Sequence, residues 1–488
     1  MPSSKPVYIT TTLPYVNAEP HVGFAMEIVR ADALARYHRR AGREVFFNTG
    51  TDEHGQKLYD AAQKEGIETQ AYVDRYAVKF RELAPLLNLS VDNFIRTTDA
   101  HHVLAAQEFW RRCEKAGDIY KKLYKTKYCV GCELEKTDSE LDENGRCPIH
   151  PNRELEIREE ENYFFRFSKY AEKLTELYEK TDPEDGLPLT LPESRLNEMK
   201  AFVSRGLQDF SISRLASKMP WGIPVPGDEA HVMYVWFDAL VNYISAIGWP
   251  KDMPRFTKYW PVIQYCGKDN NRQQSAMWQA MLISAGLPPS RHIIVDGFIT
   301  SGGQKMSKSL GNVIAPKEVI ERFAPLTPFP EDVLRFVLLH DMPSFEDGDI
   351  TMASIEASYQ ANLANGLGNL TNRIMKMATT HLSGPVEGQK IMKSTDVDRA
   401  VLRFDHRAAM EHVSGAIAEL DRYIQETEPF KVVKVDADRG RTLITEMLER
   451  LAAIAQVLQP FLPRTAVEIQ TCIREHKMPE KPLFLRLP

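Results

Sequence analysis

Val7-Tyr8-Ile9-Thr10-Thr11, the segment from about His21 to Ala41, and Val45-Phe46-Phe47 together decide the fold class. The first and last are short β-branched and aromatic runs, the composition of buried strands. Between them Met26, Val29, Ala33 and Tyr37 recur on one helical face, and Gly42 marks the stop. Strand, helix and strand in quick succession make a βαβ unit. The expectation is an α/β chain with a doubly wound, Rossmann-like parallel sheet. In such a fold the first strand-to-helix turn aims backbone N–H groups at a bound nucleotide. That turn contains His21-Val22-Gly23-Phe24. Glycine lets a phosphate or an adenine approach the backbone, and a histidine beside it can donate to phosphate oxygens. A helix that simply begins with a satisfied histidine would read the same way.

Farther along, Tyr265-Cys266-Gly267-Lys268-Asp269 ends a strand in a glycine and an acid, a suitable place to hold ribose hydroxyls. The apolar run His292-Ile293-Ile294-Val295-Asp296-Gly297 then leads into Gly302-Gly303-Gln304-Lys305-Met306-Ser307-Lys308-Ser309-Leu310-Gly311-Asn312. Two lysines three residues apart, with glycine on both sides, can follow charge developing on a leaving polyphosphate. An exposed basic hairpin tip is the alternative. Trp236, Ala239, Leu240 and Tyr243 recur at helical spacing, which by itself is read as a helix face in the core.

An insertion from about 117 to 230 splits the sheet. It carries Cys129-Val130-Gly131-Cys132 and Cys147-Pro148-Ile149-His150, two ligand pairs each with two residues between. Such knuckles close a tetrahedron around Zn²⁺, and with all four positions filled by protein the metal is structural. Cys113, Cys266 and Cys472 read as buried thiols. The chain from Phe94 to Ala116 is expected to be helical, as is the charged segment from Glu159 to Glu179. Beyond Asp349 helical stripes take over. Val413, Ile417, Leu420 and Ile424 form one, and Leu443, Met447, Leu451, Ile454 and Leu458 another, so an all-α bundle is expected. Asn362 lies on its first helix. Phe430 offers either a stacking face for single-stranded RNA or a core side chain.

At 488 residues the chain needs several domains, and its net charge of -6 excludes a protein that holds nucleic acid by bulk positive charge. Six cysteines at this length are not a disulfide scaffold. The N-terminus shows no signal-peptide pattern, and the apolar region Val232–Trp249 is interrupted by Asp238, Asn242 and Gly248. A cytoplasmic, soluble protein is expected.

Lys305-Met306-Ser307-Lys308-Ser309 matches the second signature loop of the class I aminoacyl-tRNA synthetases, and His21-Val22-Gly23-Phe24 resembles their HIGH motif. Phe24 stands where that class usually has a second histidine. With the split sheet, the knuckles and the helical C-terminus in this order, the whole chain resembles the methionyl-tRNA synthetase family. The resemblance implies that methionine is activated with Mg²⁺-ATP to methionyl-adenylate and pyrophosphate, then transferred to tRNA(Met), initiator included. It implies catalytic roles for His21, Lys305 and Lys308, and nucleotide contacts from Gly23, Gly267 and Asp269. Methionine would meet Leu13, Tyr15, Asp52, Trp236, Ala239, Leu240 and Tyr243, with Asp52 pairing its ammonium. Asn362 and Phe430 would read the anticodon, and Cys129, Cys132, Cys147 and His150 would hold one structural Zn²⁺.

The chain departs from the family at several positions. Leu240 replaces a proline of some members, Gly366 an arginine, and Phe430 a tryptophan. Asn270-Asn271-Arg272-Gln273-Gln274 lacks the aromatic and histidine found there in many members. The implied division is a catalytic domain at 1–116 and 231–295, a connective insertion at 117–230, a KMSKS and stem-contact region at 296–354, and an anticodon-binding bundle at 355–488. A monomer that binds neither DNA nor membrane is expected. The rivals are a class I synthetase for another amino acid, such as cysteine or leucine, and an RNA-binding relative without catalysis.

Overall fold

The computed structural model describes residues 5–136, 140–306, 311–385 and 395–488. Lys308 lies outside them, and for Lys305 only the backbone is described. Six parallel strands form the central sheet: β1 (Val7–Thr11), β2 (Val45–Thr51), β3 (Asn93–Arg96), β4 (Thr190–Leu191), β5 (Ile263–Gly267) and β6 (His292–Asp296). Their order is β3-β2-β1-β5-β6-β4. The chain therefore winds outward from β1 to β3, then returns to the other side of β1 with β5. The reversal opens a crevice at the carboxyl ends of β1 and β5, where doubly wound sheets bind ligands.

Both faces of the sheet are covered, which is why β1 and β6 are buried at every residue. The strand alternation assigns the sides. Val7, Ile9, Tyr265 and Ile294 belong to a core shared with the first helix and the C-terminal bundle, while Tyr8, Cys266, Ile293 and Val295 belong to a second core shared with the insertion. The doubly wound α/β architecture followed by an all-α bundle is as expected from the sequence.

Two segments differ from the expected helices. Asn93–Arg96 is the edge strand β3, and the helix begins only at Ala100, running to Lys115. Glu156–Phe165 is a strand paired antiparallel with Ile119–Cys129 over ten registered residues. Its charges make it look like a solvated helix, but Glu160 and Asn162 are buried while Glu159 and Glu161 are exposed, a period of two. Lys121–Glu161 and Lys125–Glu159, each at 3.9 Å, are contacts across this hairpin and not along a helix. Helix resumes only at Ala171–Tyr178.

The helix α1 (Val22–Arg40) joins the sheet to everything C-terminal of it. Arg30, 1% exposed, donates to Asp296 at 2.7 Å and to the carbonyls of Ser344 (2.9 Å) and Pro343 (2.7 Å). Asp32, fully buried, accepts from Arg335 at 2.7 Å, from Arg36 at 2.7 Å, and from the Ser90 N–H and hydroxyl. Arg335 in turn donates to the carbonyls of Phe461 and Pro460 in the bundle. The bundle itself packs on the stripes read from the sequence: Val413, Leu420, Ile424, Met447, Leu451, Ile454 and Leu458 are buried. The three cysteines outside the knuckles, Cys113, Cys266 and Cys472, are buried too. Among the described residues no helix is long and apolar enough to cross a membrane.

Removing one partner of a fully buried ion pair leaves an uncompensated charge, so Arg335→Ala should lower unfolding free energy by about 3–5 kcal/mol, read from a denaturant midpoint. Burial alone would raise the Asp32 carboxyl, but Arg335, Arg36 and Ser90 outweigh it and hold it below its ordinary value. A depressed folded-state pKa contributes stability that is fully present above the ordinary carboxylate pKa. That stability is lost as pH falls through the folded value. Between those limits the wild type should lose stability on acidification more steeply than Arg335→Ala.

Candidate active site

His21 is the N-cap of α1, in extended backbone with φ −120° and ψ 169°. Its Nδ1 accepts the Gly23 N–H at 3.0 Å, which satisfies one of the orphan donors of the first turn. A neutral ring that accepts at Nδ1 carries its proton on Nε2, so the imidazole is fixed as a donor through Nε2. The same bond explains the spacing of the motif. A Cβ on residue 23 would lie 2.8 Å from the His21 ring, so only glycine lets that ring fold back over the helix start. Phe24 turns away from this role. Its ring packs edge-on against Phe80 at 5.4 Å and serves as a core anchor.

The signature loop returns to this helix end on both flanks. Gln304–Lys305 pairs antiparallel with Ile299–Ser301, and Asp349 pins the hairpin by accepting from Thr300 at 2.7 Å and the Gly303 N–H at 2.8 Å. Met306 then comes within 3.8 Å of where a residue-23 Cβ would stand. After the loop, the Ile314 carbonyl accepts the Val22 N–H at 3.0 Å. Met306 and Ile314, on the two sides of Lys308 in the chain, thus both meet the His21–Gly23 turn.

A second group of sequence-derived residues gathers beside the carboxyl ends of β1 and β2. Tyr15 and Asp52 form a parallel bridge, and the Asp52 N–H donates to Pro14 at 3.0 Å. Leu13 packs with Ile95 and Ala246. The short helix Val235–Ala239 brings Trp236 and Ala239, and its Asp238 stands 3.3 Å from His54, so this helix is tied to the turn after β2. Leu240 and Tyr243 follow, both buried. Asp52 is 4% exposed, and among the described residues its carboxylate accepts only a 3.5 Å contact from the His54 N–H. Burial, then the charges of Asp238 and Glu133, push its carboxyl well above the usual range. Two buried acids, Asp52 and Glu133, lie beside Tyr15, and an uncompensated Asp52 charge there favours a cation.

Glu133, His54 and Asp238 were not singled out in the sequence. Glu133 follows Cys132 directly and is carried into the crevice by the knuckle. It accepts from the Lys57 N–H at 3.0 Å, while its own carbonyl accepts from the Tyr234 hydroxyl at 2.6 Å. Its adjacency to a knuckle cysteine was the one available signal. Glu27 was missed as well. It is buried on α1 and accepts the Thr12 N–H at 2.6 Å, and burial together with Asp296 pushes it well above the usual carboxylate range.

Gly267 and Asp269 lie at the end of β5, alongside β1 in the crevice. Lys268 between them is bound to both carboxylate oxygens of Asp347 at 2.7 Å. In the knuckle, the Sγ atoms of Cys129, Cys132 and Cys147 and a ring nitrogen of His150 all lie within 4.8 Å of one another. The Cys132–Cys147 sulfurs are 3.4 Å apart, and His150 Nδ1 lies 3.2 Å from Cys132 and 3.8 Å from Cys129. A tetrahedron with Zn–S bonds of about 2.3 Å has edges of roughly 3.8 Å, so the donor set fits zinc. Gly131 makes this possible, since a Cβ there would strike the His150 ring at 2.5 Å.

In the bundle, Asn362 lines a cavity of about 240 Å³ with Gly366, Met410, Val413 and Asp421. Phe430, 42% exposed, lies on the separate helix Pro429–Val435, so the core alternative for it is excluded.

The family model for class I tRNA synthetases of the methionine type, "tRNA synthetases class I (M)", matches residues 7–375. The methionine--tRNA ligase of Rhizobium meliloti (strain 1021) is 39% identical over 487 residues, covering 96% of this chain and 91% of the relative. That of Thermotoga maritima is 38% identical over 492 residues, covering 97% and 76%. Among solved structures, Mycobacterium tuberculosis methionyl-tRNA synthetase in complex with methionyl-adenylate superimposes with a TM-score of 0.88 at 36% identity, covering 98% of this chain and 95% of the other. The apo form of the same enzyme gives 0.83 at 31% identity, covering 100% and 99%. With a helix end gripped by the KMSKS flanks and a neighbouring acid-lined pocket, and with these likenesses along its whole length, the chain belongs to the methionine--tRNA ligases.

Proposed function

We propose that the crevice at the switch point joins methionine to ATP by in-line attack of the methionine carboxylate on the α-phosphorus. The bond to the bridging oxygen breaks, and pyrophosphate leaves with Mg²⁺. The observation that carries this reading is that Met306 and Ile314, which flank the signature lysine Lys308 in the chain, both meet the turn bearing His21 and Gly23. His21 Nε2–H and the helix N-terminus steady the α-phosphate, and Lys305 and Lys308 follow the departing pyrophosphate. Gly267 and Asp269 hold the nucleoside. Positioning and charge stabilisation do the work, and no protein nucleophile is required. Methionyl-adenylate, found in the Mycobacterium tuberculosis relative, is the intermediate. The 2′-hydroxyl of the terminal adenosine of tRNA(Met) then attacks its carbonyl carbon, the bond to the phosphate oxygen breaks, and AMP leaves.

The methionine side chain sits among Leu13, Tyr15, Trp236, Ala239, Leu240 and Tyr243, and its ammonium neutralises Asp52. A zinc ion on Cys129, Cys132, Cys147 and His150, when bound, supplies four bonds that lock the two knuckles together. Cys132 thereby sets the backbone of Glu133 beside the amino-acid pocket. Asn362 and Phe430 contact the anticodon. Residues 1–116 and 231–295 form the catalytic domain around the 117–230 insertion, 296–354 the stem-contact region and 355–488 the anticodon-binding bundle, in a cytoplasmic monomer.

Methionine-dependent ATP–pyrophosphate exchange tests the assignment. Lys308→Ala should lose roughly two or more orders of magnitude in rate with methionine binding nearly unchanged, and normal exchange in that variant would refute the clamp. Asp52→Asn should raise the methionine KM by on the order of tenfold or more, the value of a hydrogen bond to a charged group, and leave the ATP KM in place. Because the folded Asp52 carboxyl titrates above its ordinary value, the methionine KM should rise as pH falls through that raised value. Dialysis against a chelator should release one zinc per chain, lower the melting temperature and weaken methionine binding measured without ATP.

A further inference from the structure

The hairpin that leads into the signature lysines is held from outside by two aspartates close together in the chain. Ile299–Ser301 turns through Gly302 and Gly303, at φ 63° and 73°, into Gln304–Lys305. Two successive positive φ angles are the hairpin geometry that glycine adopts without strain. The outer side of Ile299–Ser301 pairs in parallel with Gly348–Asp349. Asp349 holds the tip of the hairpin, accepting from Thr300 and from the Gly303 N–H. Asp347 holds its root. One carboxylate oxygen accepts the Phe298 N–H at 2.9 Å, and the Phe298 carbonyl accepts the Gly348 N–H at 2.9 Å. Gly297 allows the two backbones to meet, since a Cβ there would lie 2.1 Å from the Glu346 carbonyl oxygen.

The charge on Asp347 is answered from the central sheet. Lys268 Nζ lies 2.7 Å from each of its carboxylate oxygens and 4.4 Å from the centroid of the Phe298 ring. Lys268 stands between Gly267 and Asp269 at the end of β5. One side chain thus joins the strand end proposed for the nucleoside to the root of the hairpin. The lysine and aspartate side chains are 24% and 50% exposed, so water screens the pair and it adds little to global stability. Its consequence is where the hairpin stands. We infer that Lys268 is a positioning residue for adenylate formation: by holding Asp347 it sets the signature hairpin relative to the nucleoside end of β5, and with it the backbone that carries Lys305 toward the departing pyrophosphate. The inference rests on the proposed roles of Gly267, Asp269 and Lys305.

The test separates the two half-reactions, because pyrophosphate takes part only in the first. Lys268→Met keeps the length of the side chain and drops its charge. It should lower kcat for methionine-dependent ATP–pyrophosphate exchange by about tenfold, the size of one lost charge-assisted hydrogen bond. Single-turnover transfer from enzyme-bound methionyl-adenylate to tRNA(Met) should keep the wild-type rate. Asp347→Asn retains an acceptor for the Phe298 N–H but no longer holds the lysine, and should lose exchange to the same extent. The double variant should lose no more than either single one, as for two residues acting through one contact. Lys268→Arg, whose fork can meet both oxygens, should restore exchange. Wild-type exchange in Asp347→Asn beside a loss in Lys268→Met would mean that the lysine acts on the nucleotide directly, and overturns the inference. Additive losses, or an equal loss in the transfer step, overturn it too. An unmutated protein without methionine-dependent exchange overturns the proposed function instead. Should Lys268→Met fail to melt cooperatively, Asp347→Asn decides by the same split between half-reactions.

Discussion

The structure depends on the charges buried along one helix. Arg30 and Asp32 sit where an amphipathic helix would carry leucines, and neither is tolerable there without complete pairing. Their partners come from Asp296 at the end of β6, from Arg335, and from main-chain carbonyls at 342–344, with the Arg335 guanidinium reaching 460 and 461. The sheet, the segment after the signature loop and the bundle are thus in register with a single element. The N-terminus of that element carries His21 and Gly23, where the nucleotide is proposed to bind. Placement of His21 is consequently a property of the whole chain, although its immediate geometry needs only one hydrogen bond to Gly23.

The two ends of the site are built on opposite electrostatic principles. At the helix end, the positive end of the α1 dipole and the His21 imidazole donor favour negative charge. At the proposed amino-acid end, Asp52, Asp238 and Glu133 are all buried out of water. Asp238 is kept low by His54 and His102 in spite of its burial, whereas Asp52 is raised. Neighbouring acids of different ionisation leave Asp52 as the group whose charge a substrate ammonium would most stabilise. A zwitterion carrying its own carboxylate toward a phosphate fits across such a gradient.

The departures from the family pattern have physical consequences. Phe24 exchanges a polar contact for an aromatic one with Phe80, so the helix start is anchored to the Thr69–Arg81 helix. Gln274 joins a relay of amides, and with Gln264 and Gln279 it satisfies polarity that would otherwise be costly this far inside. Phe430 remains at the surface, available for stacking.

Sequence alone determined the elements whose signal is local. Periodicity gave β1, α1, β5, β6 and the bundle stripes. Paired ligand spacing gave the knuckles, and the KMSKS and HIGH-like letters gave the chemistry. It misread residues 159–165 and 94–96 as helix, because a strand owes its state to a partner far away in the chain. Only the tertiary structure decided that Glu133 meets the Lys57 N–H beside Tyr15, that Asp238 meets His54, and that Gln274 donates to Tyr243. Each of those depends on contacts between residues dozens to more than a hundred positions apart, brought together by the reversal of strand order at β1 and β5. No periodicity or motif along the chain records such distances.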